Sequence, residues 1–237
     1  MISVCIATYN GEKYIKEQLR SILSQLGDKD EIIISDDRST DSTVEIIESI
    51  GDLRIKIFLN DNHRHKLSLI SNFENALMKA SGDYIFLSDQ DDIWEKNKVD
   101  VMLMYLLSND VVLSNATVVD YELKLLSKSL FDINHSKKGV LKNIIKNSFV
   151  GCCMAFNKKV LHAVLPFPKD IPMHDMWIGF VGGLFFRTIF IDDKLIKYRR
   201  HELNVSNTSE HSNFSVSRKI SFRFNCVKYI FYPFFRH

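Results

Sequence analysis

The chain begins with a largely apolar run, Ile2 to Ala7; similar runs return at Glu31–Ser35 and Tyr84–Leu87, and Arg54–Leu59 alternates. Short segments of this kind, rich in Ile, Val and Phe, predict buried strands. Between them apolar residues recur three and four positions apart. Ile15, Leu19, Ile22, Leu23 and Leu26 share one helical face, with Gly27 as its stop. Val44, Ile47 and Ile50 share a second face, entered through Asp41 or Ser42, with Glu45 completing a Ser-x-x-Glu box. Leu69, Ile70, Phe73 and Leu77 form a third, which Gly82 is expected to close as the first residue past a helix. Strand–helix alternation at this spacing implies βαβ units and a parallel sheet. Right-handed crossovers then bring every strand-to-helix loop to one sheet edge.

After about residue 107 the pattern loosens. Val111–Val119 reads as one or two strands, with a bend suggested by Asn115, and residues 120–138 are polar and irregular. Val140–Ile145 predicts a short helix and Phe149–Phe156 an apolar strand that contains Gly151. Prolines 166, 168 and 172 mark a loop that ends at Met173-His-Asp-Met-Trp177. A helix-like apolar stretch follows, then strands at Thr188–Ile191 and Leu195–Tyr198.

Composition adds bounds. At 237 residues, 46% hydrophobic and 25% charged, the chain suits one large domain, or one with a small appendage. A net charge of +2 and the lack of an aromatic–basic signature give no case for nucleic-acid binding. Cys5, Cys152, Cys153 and Cys226 have no metal-ligand spacing, and the adjacent pair in an apolar run reads as core in a reducing compartment. The direct start on a strand predicts no signal peptide, and the apolar stretch at 177–186 is too short to span a bilayer. These features place the protein on the cytoplasmic side. Residues 218–237 mix Arg and Lys with Phe, Tyr and Ile, which suits either an interfacial membrane helix or a terminal helix docked on the domain.

The candidate chemistry lies at strand ends. The fourth strand runs into Asp89-Gln-Asp-Asp92, the second into Asp36-Asp37, and the first into Thr8-Tyr-Asn-Gly11. Clustered carboxylates repel unless a cation sits among them, and hard divalent ions prefer oxygen ligands. One such turn alone is equally well a solvated acidic turn, but three convergent loops favour a site. No Gly-x-Gly-x-x-Gly and no Gly-Lys-Ser/Thr loop is present, so a metal must hold any diphosphate. Asp175 by itself would read as a helix N-cap, and Asp36 and Asp37 as helix caps.

Taken together, the motifs resemble a known family. Ala7-Thr-Tyr-Asn-Gly-Glu12, Ile34-Ser-Asp-Asp-Arg-Ser-Thr-Asp41, Asn72-Phe-Glu-Asn-Ala76 and Leu87-Ser-Asp-Gln-Asp-Asp-Ile-Trp94 occur in that order. Val150-Gly-Cys-Cys-Met-Ala-Phe156, His174-Asp-Met-Trp177 and Tyr198-Arg-Arg-His201 follow. The chain resembles the family 2 glycosyltransferases over residues 2–207, most of all a rhamnosyltransferase-like bacterial branch that builds surface polysaccharide.

The resemblance implies an α/β GT-A fold, with a mostly parallel central sheet flanked by helices, over residues 1–207, and a tail over 208–237. It implies an inverting, metal-dependent enzyme that uses Mn²⁺ or Mg²⁺. The donor would be a nucleoside-diphosphate sugar, dTDP-rhamnose or a UDP-sugar. The acceptor would be a saccharide, lipid-linked at the inner membrane face, which gives the tail a reason to touch membrane. Residue by residue, it assigns Thr8, Tyr9, Asn10 and Glu12 to the nucleotide half of the donor and Asp37 to the base N–H. Asp91 becomes the main metal ligand, with Asp89 and Gln90 toward the sugar or ribose and Asp89 also a metal ligand. Asp175 becomes the catalytic base, His201 a source of charge for the diphosphate, and Gly151 and Trp177 neighbours of the acceptor. His174 stands where the family more often has Glu. A sugar-1-phosphate nucleotidyltransferase is a rival reading, but Tyr9-Asn-Gly-Glu12 does not supply its Gly-rich basic loop. A non-catalytic nucleotide-sugar or glycan-binding module is another, and intact Asp89, Asp91 and Asp175 argue against it.

Overall fold

The computed structural model describes residues 1–61, 68–136, 148–202 and 228–229. Two expected features, the helix at 140–145 and the tail at 208–237, therefore lie wholly or almost wholly outside the described residues. Four strands, β1 (Ile2–Thr8), β2 (Glu31–Asp36), β3 (Ile55–Leu59) and β4 (Tyr84–Ser88), stand parallel in the order β3-β2-β1-β4. Helices α1 (Ile15–Leu23), α2 (Thr43–Glu48) and α3 (Ser68–Lys79) connect them. A two-residue strand β5 (Ile93–Trp94) and helix α4 (Lys98–Leu106) follow the acidic turn.

The second half completes the sheet with mixed direction. It contributes β6 (Val111–Val119), β7 (Leu125–Ser127), α5 (Leu130–Asn134), a single 3₁₀ turn (Gly151–Cys153), β8 (Met154–Asn157), α6 (Lys158–Val164), α7 (His174–Phe185) and β9 (Thr188–Arg199). Strand β8 runs antiparallel to both β4 and β6, while β9 is parallel to β6 and antiparallel to β5. The sheet is thus mixed beyond β4, a departure from the largely parallel sheet expected.

Alternation along the strands sorts the core onto two faces. Val4, Ile6, Ile32, Ile34 and Phe86 pack with α1, α2 and α4, and Cys5, Ile33, Ile85 and Leu87 pack with α3, α6 and α7. Strands covered on both faces need no polar–apolar alternation, which is why the middles of β1 and β2 are apolar, with their polar residues toward the ends.

Several local expectations change. Helix α1 ends at Leu23, short of Gly27. Ser42 makes no side-chain cap at α2; Asp41 instead accepts the Thr43 N–H at 3.0 Å. Gly82 lies beyond α3 and serves close approach: a Cβ there would sit 2.7 Å from the Ser3 backbone nitrogen. The expected strand at 149–156 is the 3₁₀ turn plus β8, and the two last strands are one, β9. Strand β6 is continuous, and its pairing with β9 slips on both sides of Asn115. Helix α6 escaped notice because it is short and ends just before the proline-rich loop.

Candidate functional site

The three loops do converge. At the end of β1 the Thr8 carbonyl accepts the Asp37 N–H at 2.9 Å, and the Thr8 hydroxyl donates to Asp36 Oδ2 at 2.8 Å. Buried Asp36 also accepts the backbone N–H and hydroxyl of Ser39 at 2.8 and 2.6 Å, so it anchors the β2 loop from within. Asn10 has a left-handed backbone (φ 47°), and its amide oxygen accepts the Thr40 N–H at 2.8 Å. Gln90 clasps the first loop from the acidic turn: its Oε1 accepts the Tyr9 N–H and its Nε2 donates to the Tyr9 carbonyl, both at 3.0 Å. Thr8, Asn10 and Gln90 therefore shape the loops with their side chains. Glu12 likewise accepts the Ser42 N–H at 3.0 Å, ahead of α2. Tyr9, by contrast, is 55% exposed beside this frame.

Asp37 accepts from the Asn60 amide at 2.8 Å and from the Ser68 hydroxyl. Neither partner was singled out in the sequence, since a lone Asn or Ser carries no pattern. Gln18, fully buried on α1, was also missed; it donates to Ser88 Oγ at 2.6 Å and to the Asp89 carbonyl at 3.1 Å, fixing the strand end beneath the acidic turn.

The acidic turn divides its carboxylates. Asp92 is 1% exposed, and its Oδ1 accepts the Arg199 N–H at 2.9 Å. Its Oδ2 receives no hydrogen bond from a nitrogen or hydroxyl among the described residues. Oxygens of Asp89 and Asp92 and the Cys152 sulfur lie within 4.8 Å of one another. Burial, then the neighbouring charges of Asp91 and Asp175, push the Asp89 carboxyl up to about 7. Burial and the charges of Asp91 and Asp89 hold Asp92 well above the usual carboxylate range. Asp91 faces the end of β9, where His201 Nε2 lies 2.8 Å from its Oδ2. Tyr14 stacks on the His201 ring at 4.8 Å, with the Arg199 guanidinium 4.7 Å over the tyrosine. Arg199 also pairs with Glu17 at 2.6 Å. His201 thus contacts the acidic centre through Asp91.

Asp175 enters from the first turn of α7. Its carboxylate accepts the Met176 N–H at 2.6 Å, yet burial outweighs the backbone donors around it and raises it to about 7. Gly151 packs against this turn and leaves room for His174: a Cβ there would lie 2.9 Å from His174 Nε2 and 3.6 Å from Asp175 Cβ. His174 is buried, stacks on Phe73 at 3.9 Å, and is driven by burial down to about 3, so it is a neutral packing residue. Trp177, expected as a wall of the acceptor site, is fully buried and its indole donates to the Val164 carbonyl at 3.1 Å. It belongs to the core between α6 and α7, because an apolar helix buried along that face draws its largest side chain inward.

Comparison with known proteins fits this frame. A family model described as "Glycosyl transferase family 2" matches residues 3–165. The dTDP-rhamnosyl transferase RfbG of Shigella flexneri is 31% identical over 217 residues, covering 84% of this chain and 72% of its own. An Escherichia coli relative, the UDP-Glc:alpha-D-GlcNAc-diphosphoundecaprenol beta-1,3-glucosyltransferase WfgD, is 26% identical over 71% of this chain and 64% of its own. The crystal structure of S. aureus TarS in complex with UDP-GlcNAc superposes with a TM-score of 0.68 at 20% identity, covering 98% of this chain and 66% of that one. The chain thus spans about two thirds of the latter two proteins. Its sheet and flanking helices have the GT-A fold. With the family model matched across most of its length, the chain belongs to glycosyl transferase family 2.

Proposed function

We propose that the protein is an inverting, divalent-metal-dependent glycosyltransferase that moves a sugar from a pyrimidine nucleoside diphosphate to a saccharide acceptor. The observation that carries this reading is that one short turn lies between the acidic residues and Asp175: the Cys152 sulfur is within 4.8 Å of oxygens of Asp89 and Asp92, and a Cβ on neighbouring Gly151 would lie 3.6 Å from Asp175 Cβ. Two chain segments 80 residues or more apart thereby face one small volume, as donor and acceptor chemistry requires.

The residues fit a hard divalent cation. Asp89 and Asp92 hold their protons unusually tightly, and Asp92 Oδ2 lacks a nitrogen or hydroxyl donor, a set of oxygens that a cation would relieve. Asp91 and Asp89 would hold Mn²⁺ or Mg²⁺, and the bound ion supplies Lewis-acid neutralisation of charge on the departing diphosphate. Asp175 accepts the proton of the acceptor hydroxyl while that oxygen attacks the anomeric carbon and the bond to diphosphate breaks. One base and a single displacement give inversion. Asp37, with Asn60 and Ser68 fixing it, accepts the base N–H that uracil and thymine share, and Tyr9 packs beside the base.

The names of the two relatives support the choice of donor and acceptor: dTDP-rhamnose or a UDP-sugar, delivered to a lipid-linked saccharide in polysaccharide synthesis. Thermal unfolding with Mn²⁺ or Mg²⁺ and a panel of UDP-, dTDP- and GDP-sugars tests the reading. Ligand at a hundred times its dissociation constant adds ~2.7 kcal/mol, a rise of roughly 5–10 °C for a chain of this size. A metal-dependent rise with one pyrimidine donor, absent in Asp91→Asn, is expected. No rise with any donor overturns it.

A further inference from the structure

Beneath the acidic turn lies a cation that the reading above does not use. Lys98 opens α4, four residues past Trp94, and is 0% exposed. Its ammonium sits 4.2 Å over the Trp94 ring and donates to the Cys152 carbonyl at 2.7 Å. Its positive charge is felt by Asp89 and Asp92, and the thiol of the same Cys152 reaches both carboxylates. Burying a lone ammonium costs several kcal/mol, so a lysine so placed needs acceptors and counter-charge, and here it has a carbonyl, a ring face and two carboxylates.

The carbonyl it holds belongs to a strategic turn. Gly151, Cys152 and Cys153 form the single 3₁₀ turn before β8, closed by the Cys153 N–H on the Val150 carbonyl at 3.1 Å. Gly151 of that turn lies against the start of α7: a Cβ there would be 2.9 Å from His174 Nε2 and 3.6 Å from Asp175 Cβ. We propose that Lys98 is a positioning residue that couples the two halves of the centre: its ammonium fixes the Gly151–Cys153 turn through the Cys152 carbonyl, and the turn fixes Asp175 through the close packing of Gly151 on the His174–Asp175 pair. The proposal rests on Asp175 being the base. One buried cation then both balances the carboxylates of the acidic turn and sets where the base stands. Without Lys98 the turn loses its hydrogen bond to α4, and the base loses its orientation before the carboxylates lose their place.

The full-length protein tests this with two readouts. The first is hydrogen exchange at the Gly151 amide, compared with Ile33 in the middle of β2. In Lys98→Met, Ile33 should exchange as in wild type while Gly151 exchanges about tenfold faster. The second is steady-state transfer: kcat should fall ~10- to 10²-fold, the cost of a misplaced group, with the donor KM little changed. The loss should not add to that of Asp175→Asn, because both act on one interaction. Lys98→Arg, which keeps a buried charge and donor, should recover part of both. If Lys98→Met does not fold, Lys98→Gln takes its place. A folded variant with wild-type Gly151 exchange and wild-type kcat overturns the proposal, as does a loss that raises KM alone. Wild-type protein with no transfer activity would count against the transferase reading, while the Gly151 exchange would still decide whether Lys98 holds the turn.

Discussion

Asp175 and His174 stand side by side at the start of α7, and burial moves their protons in opposite senses, up to about 7 for the acid and down to about 3 for the imidazole. The same loss of water disfavours whichever form is charged. Neighbours in sequence thus take different tasks, and only the carboxylate is left to handle a proton near neutral pH. Asp175→Asn should lower kcat ~10²- to 10⁴-fold with the fold intact, checked by single-turnover transfer and far-UV dichroism. Gly151→Ala is expected to hurt activity more than stability: its new Cβ meets His174 Nε2 at 2.9 Å, and a shift of His174 moves Asp175, the next residue and the proposed base. A strain of ~1–3 kcal/mol is expected in denaturant melts, together with a kcat loss of ~10²-fold. At this scale Asp37, Asp89, Asp91 and Asp175 were visible as candidates in the sequence. Asn60, Ser68, Gln18 and Lys98 were not, because a polar residue that supports another carries no spacing of its own.

Among the elements, the strands of the first half are held at the edge away from the site by one carboxylate. Glu31 accepts from Ser3 Oγ at 2.6 Å, from the N–H and hydroxyl of Ser81 at 2.8 and 2.7 Å, and from Lys56 at 2.7 Å. It joins β1, β2, β3 and the turn before β4. Burial works against its charge, but the Lys56 ammonium and these donors prevail and lower it from 4.5 to about 2. A depressed folded-state value means that the stabilisation is complete above about 4.5 and is lost as pH falls through about 2. Acid titration of stability should therefore decline across that window in wild type, and Glu31→Gln should be less stable at neutral pH with a flatter decline. An equally steep decline in Glu31→Gln would refute this role. Gly82→Ala tests the same edge, since its Cβ would press on the backbone of β1 at 2.7 Å, at a cost of ~1–3 kcal/mol in a urea melt. Periodicity revealed the first four strands and three helices because each buries a face of regular period. It missed α5, α6 and β7, which are too short to show a period, and it split β9 in two at the polar residues Asp192–Lys194.

For the whole molecule, β1, β2 and β4 carry the loops of the proposed donor site to one edge, and the 3₁₀ turn, α7 and the end of β9 lie beside them. Among the described residues no helix is long and apolar enough to cross a membrane. For a lipid-linked acceptor, the basic–aromatic residues 218–237 are our proposed membrane contact. Deleting them should abolish sedimentation with anionic liposomes while donor-induced thermal stabilisation persists; unchanged sedimentation would refute the contact.

By itself the sequence determined the βαβ start of the chain, the strand ends that bear Asp37 and Asp89–Asp92, and the family to which those motifs belong. These follow from local period and from residues adjacent along the chain. Only the tertiary structure decided that the sheet turns mixed after β4, that Trp177 is core, that Thr8, Asn10 and Gln90 frame the site with their side chains, and that Lys98 underlies it. The physical reason is common to all four. Each depends on which residue distant in sequence supplies a partner for a buried polar group or a large apolar face, and that partner exists only once the chain has folded.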